Sequence, residues 1–471
     1  MANCVIQQST LWNLFTAGED IIFVISNDDA VANQVKVKFV AKVHIGTTQP
    51  NLSSNLDLIG TFKTTPNNAG VGIFNVRNVI ENYVKADHTA SMNSSYKGTV
   101  STVDPYPLHL IDRFSLNTNT VRHLAIRFEV EFLDQDPASN TYGQIISTGA
   151  INSSDYKFFN GYLKYTDELQ SSGNNFGYFK INDFYPATGA RFLTNAPTTQ
   201  YANFGDYGTL AFLVPTSFMA YNAGKIELNY FNDNGTPLGS AHTYSITDAQ
   251  GAYDTYNNSS EDTIIYVGVY PGNIEGFSPT AWAGLVSGGL SYYTVNLKST
   301  GGGSVSETIT INLNCPNLRG YESIRICWLN QWGVWDYYTF TKKSIKTLST
   351  QGTTYTQLEG TWNESTYQLS SFKGGKKSFR RNATEKIVIN SDFVSESYNV
   401  MFEELINSPE VYLLQGLQAD GTYIVTDLLN QYVTPVRVST SNFARKTVAN
   451  DKLIQYTFEI EKSKTLRTQS I

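Results

Sequence analysis

The sequence has little charge, little cysteine and no long apolar run. Charged residues make up 16% of its 471 residues, against about 25% in ordinary soluble domains, and Asn, Thr, Ser, Gly and Tyr take their place. Amides and hydroxyls cost less free energy than charges when another protein covers them. The composition therefore favours a protein that packs against other protein copies, with a secreted or cell-surface β protein as the alternative.

The missing features also disfavour several functions. A net charge of −7 and a pI near 5.4 argue against general nucleic-acid binding, which needs Lys and Arg to replace counterions. No stretch approaches the roughly 18 apolar residues of a membrane span. The first 26 residues lack the basic segment and apolar run of a signal peptide. We therefore expect no membrane and no sequence-specific nucleic acid among the partners.

Three cysteines, Cys4, Cys315 and Cys327, form an odd and sparse set. This usage is typical of a chain that folds in a reducing cytoplasm, where thiols act as small buried apolar groups. Free thiols are the favoured interpretation, and a Cys315–Cys327 disulfide across a hairpin is the alternative.

The motifs of common catalytic and metal sites are missing from the sequence. It contains no phosphate loop, no His-Glu-x-x-His helix and no Cys-x-x-Cys pair. We interpret the five scattered histidines as surface residues, and Asp134-Gln135-Asp136 and Asn232-Asp233-Asn234-Gly235 as turns, with structural calcium as the alternative. We expect no catalytic residue, metal or cofactor. Paired carboxylates for glycoside hydrolysis stay open, because they are recognised by separation in space.

Strict alternation of apolar and polar residues is the clearest structural signal. It extends over residues 35–45 and again over 124–133. Successive side chains of a strand point to opposite faces, so each segment is predicted to turn one face to a core and the other to water.

These signals predict a mainly β protein of several antiparallel, β-sandwich-like domains with a few short helices. We expect an N-terminal β domain at 1–151 with one amphipathic helix from Asn75, a central β domain at 152–298, and a C-terminal β domain at 307–471 with one helix at 395–407. The run Gly301-Gly302-Gly303 is interpreted as a flexible boundary.

Hairpins and strands are predicted inside the second and third domains. Asn-Gly at 234–235 predicts a hairpin after the strand 226–231, and residues 264–270 predict a central strand. A hairpin is expected between 323–330 and 334–340, and further strands at 411–414, 423–426, 433–438 and 453–460.

Five basic residues crowd one short segment around Gly374 and Gly375, and we treat them as candidate interaction residues: Lys373, Lys376, Lys377, Arg380 and Arg381. We interpret the segment as a basic loop. A solvated loop is favoured over a loop that grips an acidic neighbouring subunit or nucleic acid.

Three tryptophans, Trp328, Trp332 and Trp335, concentrate in the predicted hairpin of the third domain. Aromatic side chains across strands build a core or a subunit contact, and this is the favoured interpretation. The alternative is an exposed platform that stacks on sugar rings.

Several segments, most of them in the last third of the chain, carry a resemblance to known proteins: RICWLN at 325–330, WDYYTF at 335–340, SPEVYL at 408–413, YVTPVRV at 432–438, NDKL at 450–453, YTFEI at 456–460, GIFNV at 72–76 and RFLTNAP at 191–197. In these segments the chain resembles structural proteins of tailed bacteriophages, especially crAss-like and related phages of Bacteroidetes hosts and their uncultured marine relatives.

The resemblance implies a virion component of the tail, the baseplate or a ring in the tail barrel, assembled in the host bacterial cytoplasm. Its implied partners are copies of itself in a ring and other tail or portal-proximal proteins. We expect a structural protein that acts through residues 85–108, the basic segment and the tail after Glu461. A carbohydrate- or receptor-binding module and a glycan depolymerase are the competing hypotheses.

Overall fold

The computed structural model describes the chain at residues 2–10, 14–54, 56–90, 95–96, 99–100, 107–117, 119–162, 175–176, 191–214, 223–245, 263–299, 301–314, 320–362, 365–369, 373–414, 433–447, 454–464 and 466–467. The protein is mainly β, with several antiparallel sheets and a few short helices. The predicted fold class is confirmed.

Strands make up most of the regular structure, and the helices between them are short. The strands are β1 Val5–Thr10, β2 Leu14–Thr16, β3 Ile22–Ser26, β4 Val35–Gly46, β5 Leu58–Thr64, β6 Val71–Asn75, β7 Ser95–Tyr96, β8 Thr99–Val100, β9 Phe114–Asn117, β10 Val121–Leu133, β11 Ile145–Asn152, β12 Tyr156–Phe159, β13 Asn175–Phe176, β14 Thr199–Ala202, β15 Thr209–Val214, β16 Ala223–Asn232, β17 His242–Ser245, β18 Thr263–Gly268, β19 Leu290–Ser299, β20 Ile309–Leu313, β21 Ile324–Leu329, β22 Trp335–Phe340, β23 Ile345–Gln357, β24 Gly375–Asn390, β25 Val411–Leu414, β26 Val433–Val438, β27 Thr457–Lys462 and β28 Leu466–Arg467. The α-helices are α1 Asp28–Asn33, α2 Arg77–Ile80, α3 Pro271–Phe277, α4 Pro279–Ser287 and α5 Asn399–Asn407, and single 3-10 turns lie at Glu81–Tyr83, Leu108–Leu110 and Glu396–Tyr398.

The sequence predicts three domains, and the structure divides into two compact units. Unit 1 is Met1–Asn314 with Leu329–Asp336, and unit 2 is Cys315–Trp328 with Tyr337–Ile471. Strand pairing crosses both predicted boundaries, because β9 pairs with β18 and β20 pairs with β19 and β14. The glycine run at 301–303 is a turn inside unit 1, where the Ser299 amide donates to the Gly303 carbonyl at 2.7 Å.

Two packed sheets form the N-terminal part of unit 1. One has the order β13-β1-β3-β6, and the other has the order β2-β12-β10-β4-β5 with β11 beside β10. Their facing apolar side chains make one buried core, in which the ring of Phe128 lies 5.6 Å from Phe23 and 5.9 Å from Phe74. A Cβ atom at Gly72 would lie 2.7 Å from the Phe39 ring, so glycine allows the close approach of the sheets.

The alternating segments form β4 and β10, which pair along most of their length. The apolar face lies in the core as predicted, but the polar face is partly covered by a row of ion pairs. Glu129 is buried and lies 2.8 Å from both Lys42 and Arg127. Burial alone would raise the pKa of Glu129, but the hydrogen bonds and charges of Lys42 and Arg127 hold it below its ordinary value.

The prediction that the histidines are surface residues is wrong for His44, His109 and His123, which are buried. His44 lies on β4 and His123 on β10, which are inner strands of the larger sheet. His123 Nδ1 lies 3.3 Å from Asp155 Oδ2. The sequence pattern marks a residue as polar, but it does not show that another part of the chain covers it.

The remaining sheets of unit 1 carry the predicted hairpin and central strand. β16 pairs with β17 across the Asn232–Gly235 turn, in which Asn232 Oδ1 accepts from the Asn234 and Thr236 amides. β18 is the middle strand of the sheet β15-β18-β9. The helix predicted from Asn75 is present but short, since α2 has four residues before the 3-10 turn.

The turn between β21 and β22 belongs to unit 1. Asn330 Nδ2 donates to the Leu193 carbonyl at 2.9 Å, and the Thr194 hydroxyl donates to Asp336 at 2.5 Å. Gly333 has a φ of +72°, and a Cβ there would lie 1.5 Å from the Asn160 carbonyl oxygen. Only glycine fits this position.

Unit 2 is one large sheet with a helix against it. The strand order is β22-β21-β25-β26-β27-β24-β23, with β28 beside β24. The helix predicted at 395–407 is confirmed as α5 with the 3-10 turn before it, and their apolar side chains Tyr398, Met401, Phe402 and Leu405 are buried. Cys327 is a buried thiol that forms no disulfide among the described residues, whereas Cys315 and the strand predicted at 423–426 lie outside the described residues.

We expect the substitution Phe128→Ala to destabilise unit 1 by about 3–5 kcal/mol, because it removes a fully buried ring from between two sheets. The measurement is urea unfolding followed by near-UV circular dichroism. Ile73→Ala, at a half-exposed site on β6, is the control and should shift the midpoint little. Equal shifts for the two variants would contradict the two-sheet core.

The buried turn gives unit 1 a pH dependence. Burial raises the pKa of the Asp336 carboxyl from 3.8 to about 6, so the folded chain holds this proton more tightly than the unfolded chain. Its stabilising contribution is complete below about pH 4 and is lost as pH rises through 6, by on the order of 3 kcal/mol. Asp336→Asn should remove this part of the slope between pH 4 and pH 7 in urea unfolding. The exposed control Asp233→Asn should keep it, and an unchanged slope in Asp336→Asn would refute the assignment.

Candidate interaction surface

The basic segment predicted as a loop is part of a strand. Of its five residues, Lys376, Lys377, Arg380 and Arg381 lie on β24 and Lys373 lies just before it. Their cross-strand partners on β23 are all uncharged: Thr356 for Lys376, Tyr355 for Lys377, Thr353 for Arg380 and Gly352 for Arg381. The loop prediction failed because Gly374 and Gly375, both at positive φ, are signals of a turn. In the structure the turn ends at Gly374, and β24 begins at Gly375.

β23 and β24 continue beyond the rest of the unit 2 sheet as a two-stranded ribbon. β27 pairs with β24 only from Lys386 onward and β28 only at Asn382 and Ala383. From residue 381 outward, β23 is therefore the neighbour of β24 among the described strands. We call residues 350–381 the arm. Its eight ladder residues on β23 reach roughly 26 Å at about 3.3 Å per residue.

The arm turns both faces to solvent. Every residue in 350–357 and 375–381 is exposed or half-exposed. A register shift between Thr353 and Thr354 inserts Phe379 as an extra residue on β24, and the Phe379 ring meets Tyr355 edge to face at 6.4 Å. Such a bulge increases local twist. An isolated two-stranded ribbon is marginally stable in water, so this surface gains most if a partner covers it.

The end of the arm, residues 358–374, displays large apolar side chains, and we call it the tip. Leu358 is 75% exposed, Trp362 66%, Tyr367 50% and Leu369 68%. The Trp362 and Tyr367 rings lie 5.0 Å apart. A cluster of exposed aromatic and aliphatic side chains on a soluble protein marks a binding surface.

The described part of the tip is held by its own hydrogen bonds. Trp362 Nε1 donates to the Glu359 carbonyl at 2.6 Å, and the buried Thr361 hydroxyl bonds the Thr366 carbonyl and the Gln368 amide. Gly360 has a φ of +84°, and a Cβ there would lie 2.4 Å from the Tyr367 ring. The apolar side chains of the tip are therefore held by a hydrogen-bonded turn.

Charges are paired at the base of the same ribbon. Lys386 lies 2.8 Å from Glu459 and Lys462 lies 2.8 Å from Glu385. The basic residues of the arm itself outnumber its acidic residues five to two over 350–381. The arm combines positive charge, an outer strand edge and an apolar tip, which suits contact with a protein surface that is acidic and partly apolar.

The three tryptophans, for which a core or subunit contact is the favoured interpretation and a sugar platform the alternative, are buried. Trp328 is 0% exposed, Trp332 6% and Trp335 2%, and Trp335 Nε1 donates to the Asp87 carbonyl at 2.7 Å. Side chains in the interior cannot stack on a sugar ring, so the exposed platform is not formed by these residues. The exposed Trp362, which lies outside the predicted hairpin, was missed because a single tryptophan in a Thr/Ser-rich stretch has no pattern around it.

The other two predicted assembly segments are described in part. After Glu461 the chain completes β27 at Lys462 and then adds β28 beside the base of the arm. Within 85–108, Ala86, Asp87, Ala90 and Leu108 are buried, and residues 91–94, 97–98 and 101–106 lie outside the described residues.

Metal ligands and membrane-spanning helices are both missing from the described part of the chain. It contains no group of three or more His, Cys, Asp or Glu side chains placed to hold a metal ion, and no helix in it is long and apolar enough to cross a membrane. Asp134 forms a turn, as predicted, by accepting from the Asp136 amide and the Thr141 hydroxyl.

Comparison with known proteins leaves the family open. No protein-family model matches the sequence, and no curated protein matches it. Among solved structures, the native conformation of E. coli alpha-2-macroglobulin aligns with 82% of this chain and 22% of its own length, at 8% identity and a TM-score of 0.17. The chain thus spans about a fifth of that protein, and a similarity this low carries no argument about fold or function.

We expect Trp362 to dominate the solvent-accessible tryptophan emission of residues 320–369. Trp362→Phe should remove more acrylamide-quenchable fluorescence than Trp328→Phe, because Trp362 is exposed and Trp328 is not. Stern–Volmer quenching of the two variants against the unmodified chain is the measurement. Equal losses would mean that the tip is folded against the protein.

Proposed function

We propose that this protein is a structural subunit of a bacteriophage virion, placed in the tail, the baseplate or a ring of the tail barrel. It acts by assembly, and its partners are copies of itself and neighbouring tail or portal-proximal proteins. The resemblance of several sequence segments to phage structural proteins supplies the biological setting. The single observation that carries the mechanism is the arm, which offers an uncovered ribbon and an apolar tip.

An arm on one side of a subunit suits head-to-tail assembly. In a closed ring each copy contacts one neighbour through one surface and the other neighbour through a different surface. The arm can serve as one of these two surfaces, because it extends beyond the rest of its own sheet and its side chains are exposed or half-exposed. The sparse charge of the remaining surface lowers the desolvation cost of contact between copies.

A second candidate function rests on the tip. Trp362 and Tyr367 lie side by side and exposed, and aromatic faces of this kind stack on sugar rings. The tip would then bind a host glycan or receptor. The substitution Trp362→Ala separates the candidates, because a glycan-binding tip loses binding on a glycan array and an assembly tip loses incorporation into particles.

The virion proposal predicts that the chain is present in purified particles of the phage that encodes it, at a fixed copy number above one. Quantitative mass spectrometry of gradient-purified particles measures this number. Deletion of residues 351–380 should abolish incorporation and leave the isolated chain folded, since unit 2 keeps its larger sheet.

Two results would contradict the virion proposal. One is absence of the chain from particles while it accumulates in the infected cell. The other is a stable two-fold dimer of the isolated chain, because a ring subunit should be monomeric or weakly associating by itself.

A further inference from the structure

The five-stranded sheet of unit 1, β14-β20-β19-β16-β17, has one covered face. On that side Trp282 of α4 packs against Tyr230 and Tyr293 at ring distances of 6.5 and 6.4 Å. The opposite face carries the odd-numbered residues of β14 and of 225–231 on β16, and the even-numbered residues of β20 and of 292–298 on β19. All of these residues are exposed or half-exposed. We call this side of the sheet the outer face.

An aromatic row crosses one end of the outer face. Tyr201 pairs with Asn312, Asn312 pairs with Tyr292, and Tyr292 pairs with Phe231. The four residues therefore lie side by side on consecutive strands and span roughly 14 Å at about 4.8 Å per strand. The Phe231 and Tyr292 rings stack 4.9 Å apart with 12° between their planes, and Tyr201 is 52% exposed. Flat rings with an amide between them are thus open to a ligand.

Amides and hydroxyls fill the middle of the outer face, where Thr294, Thr310, Asn229 and Asn296 lie. Each of these side chains can both donate and accept hydrogen bonds. The outer face as defined contains no Leu, Ile, Val or Met, so its apolar groups are rings and the rest of it is polar. A sugar has the matching chemistry, because its C–H groups pack on aromatic faces and its hydroxyls donate and accept.

Two lysines lie at the other end of the outer face. Lys225 and Lys298 are direct cross-strand partners, and like charges in this arrangement destabilise a sheet. Lys298 Nζ lies 3.3 Å from Glu227 Oε1, which also accepts a hydrogen bond from Asn229 Nδ2 at 3.3 Å. Lys225 forms no ion pair with any described residue. A carboxylate from outside the chain would complement the charge of Lys225 and offset the repulsion between the two lysines.

We propose that the outer face binds an acidic oligosaccharide, with sugar rings on the aromatic row and a carboxylate of the sugar chain on Lys225. The six residues from Lys225 to Phe231 cover roughly 20 Å at about 3.3 Å per residue, so the ligand is a chain of several sugars that runs along the strands. This site lies in unit 1, whereas the arm lies in unit 2. The inference therefore adds a binding function to the proposed assembly function and does not depend on it.

Two other classes of ligand fit the outer face less well. Aromatic side chains on an open sheet also stack on bases of single-stranded nucleic acid. The Glu227 carboxylate only accepts hydrogen bonds and repels phosphate, however, and the chain carries a net charge of −7. A protein partner ordinarily meets aliphatic side chains as well as rings, and the outer face offers none. Sugar hydroxyls can donate to Glu227, which leaves the acidic oligosaccharide as the favoured ligand.

The test starts from the full chain on an array of oligogalacturonate, oligomannuronate and hyaluronan fragments beside neutral glucose and galactose oligomers of the same lengths. Acidic sugars should bind, and their neutral counterparts should bind at least about tenfold more weakly. Isothermal titration calorimetry with the tightest acidic sugar then measures the variants. Lys225→Ala should weaken binding about tenfold through loss of a charge-assisted hydrogen bond. Tyr292→Ala should weaken it about fivefold through loss of a stacking ring.

Matched controls carry the same changes elsewhere on the surface. Tyr142→Ala, at a side chain that is 60% exposed, is the control for Tyr292→Ala, and Lys38→Ala, at an exposed site on β4, is the control for Lys225→Ala. Both should bind the sugar within about twofold of the unmodified chain. Circular dichroism confirms that each variant is folded, and Tyr201→Ala, at the most exposed ring of the row, replaces Tyr292→Ala if that variant unfolds.

Three results would overturn the inference. The first is that no acidic sugar on the array binds. The second is that Trp362→Ala abolishes binding while Lys225→Ala and the Tyr variants retain it, because the sugar site would then be the tip. The third is that a labelled single-stranded oligonucleotide binds, and the outer-face variants lose that binding while no sugar binds.

The virion proposal and this inference fail separately. Absence of the chain from particles removes the virion proposal and leaves sugar binding by the isolated chain as measured. If no sugar binds but Tyr292→Ala and Lys225→Ala stop incorporation into particles, the outer face is a protein contact. The sugar inference is then wrong and the virion proposal stands.

Discussion

A two-stranded ribbon cannot cover its own faces, and this constraint governs how the arm can be stable. No residue of β23 is buried along its length, and none is buried in the outer part of β24, whereas the base of β24 packs Ala383, Ile387 and Ile389 into the core of unit 2. The sheet therefore stabilises the base and leaves the outer ribbon to depend on hairpin hydrogen bonds, a bulge and the turn of the tip. A partner surface would supply the burial that the ribbon lacks.

Unit 1 is built in the opposite way. Its two N-terminal sheets enclose phenylalanines from both sides, and the polar face of β10 is partly covered by ion pairs such as Lys42 with Glu129. The β21–β22 turn is fixed by Asn330, Asp336 and a glycine that no other residue can replace. Unit 1 and the arm thus differ in how much of their surface their own chain covers.

Regular alternation and apolar runs were enough to predict β4, β10, β18, the β16 hairpin and helix α5. They were not enough for the arm, because a ribbon that is exposed on both faces has no buried face and therefore no period-two pattern. Its glycines and lysines are typical of a loop. The domain boundaries were missed for a different reason, since β9 and β18 pair across about 150 residues of sequence, and local signals contain no information on such distant partners.

The histidines show the same limit at the level of one side chain. His44 and His123 occupy polar positions of the pattern but are buried, and His123 is contacted by Asp155 from beyond its own strand. Trp328, Trp332 and Trp335 of the β21–β22 hairpin are buried, which agrees with the favoured interpretation that they build a core. In each case burial depended on what packs on the element from elsewhere in the chain.

Amide hydrogen exchange tests the central claim most directly, because it measures protection along the arm before and after assembly. In the isolated chain, the amides of residues 350–357 should exchange much faster than those of β10, and in assembled particles they should become protected. Slow exchange in the isolated chain would show that the arm is already covered. Equally fast exchange in particles would show that assembly does not use it.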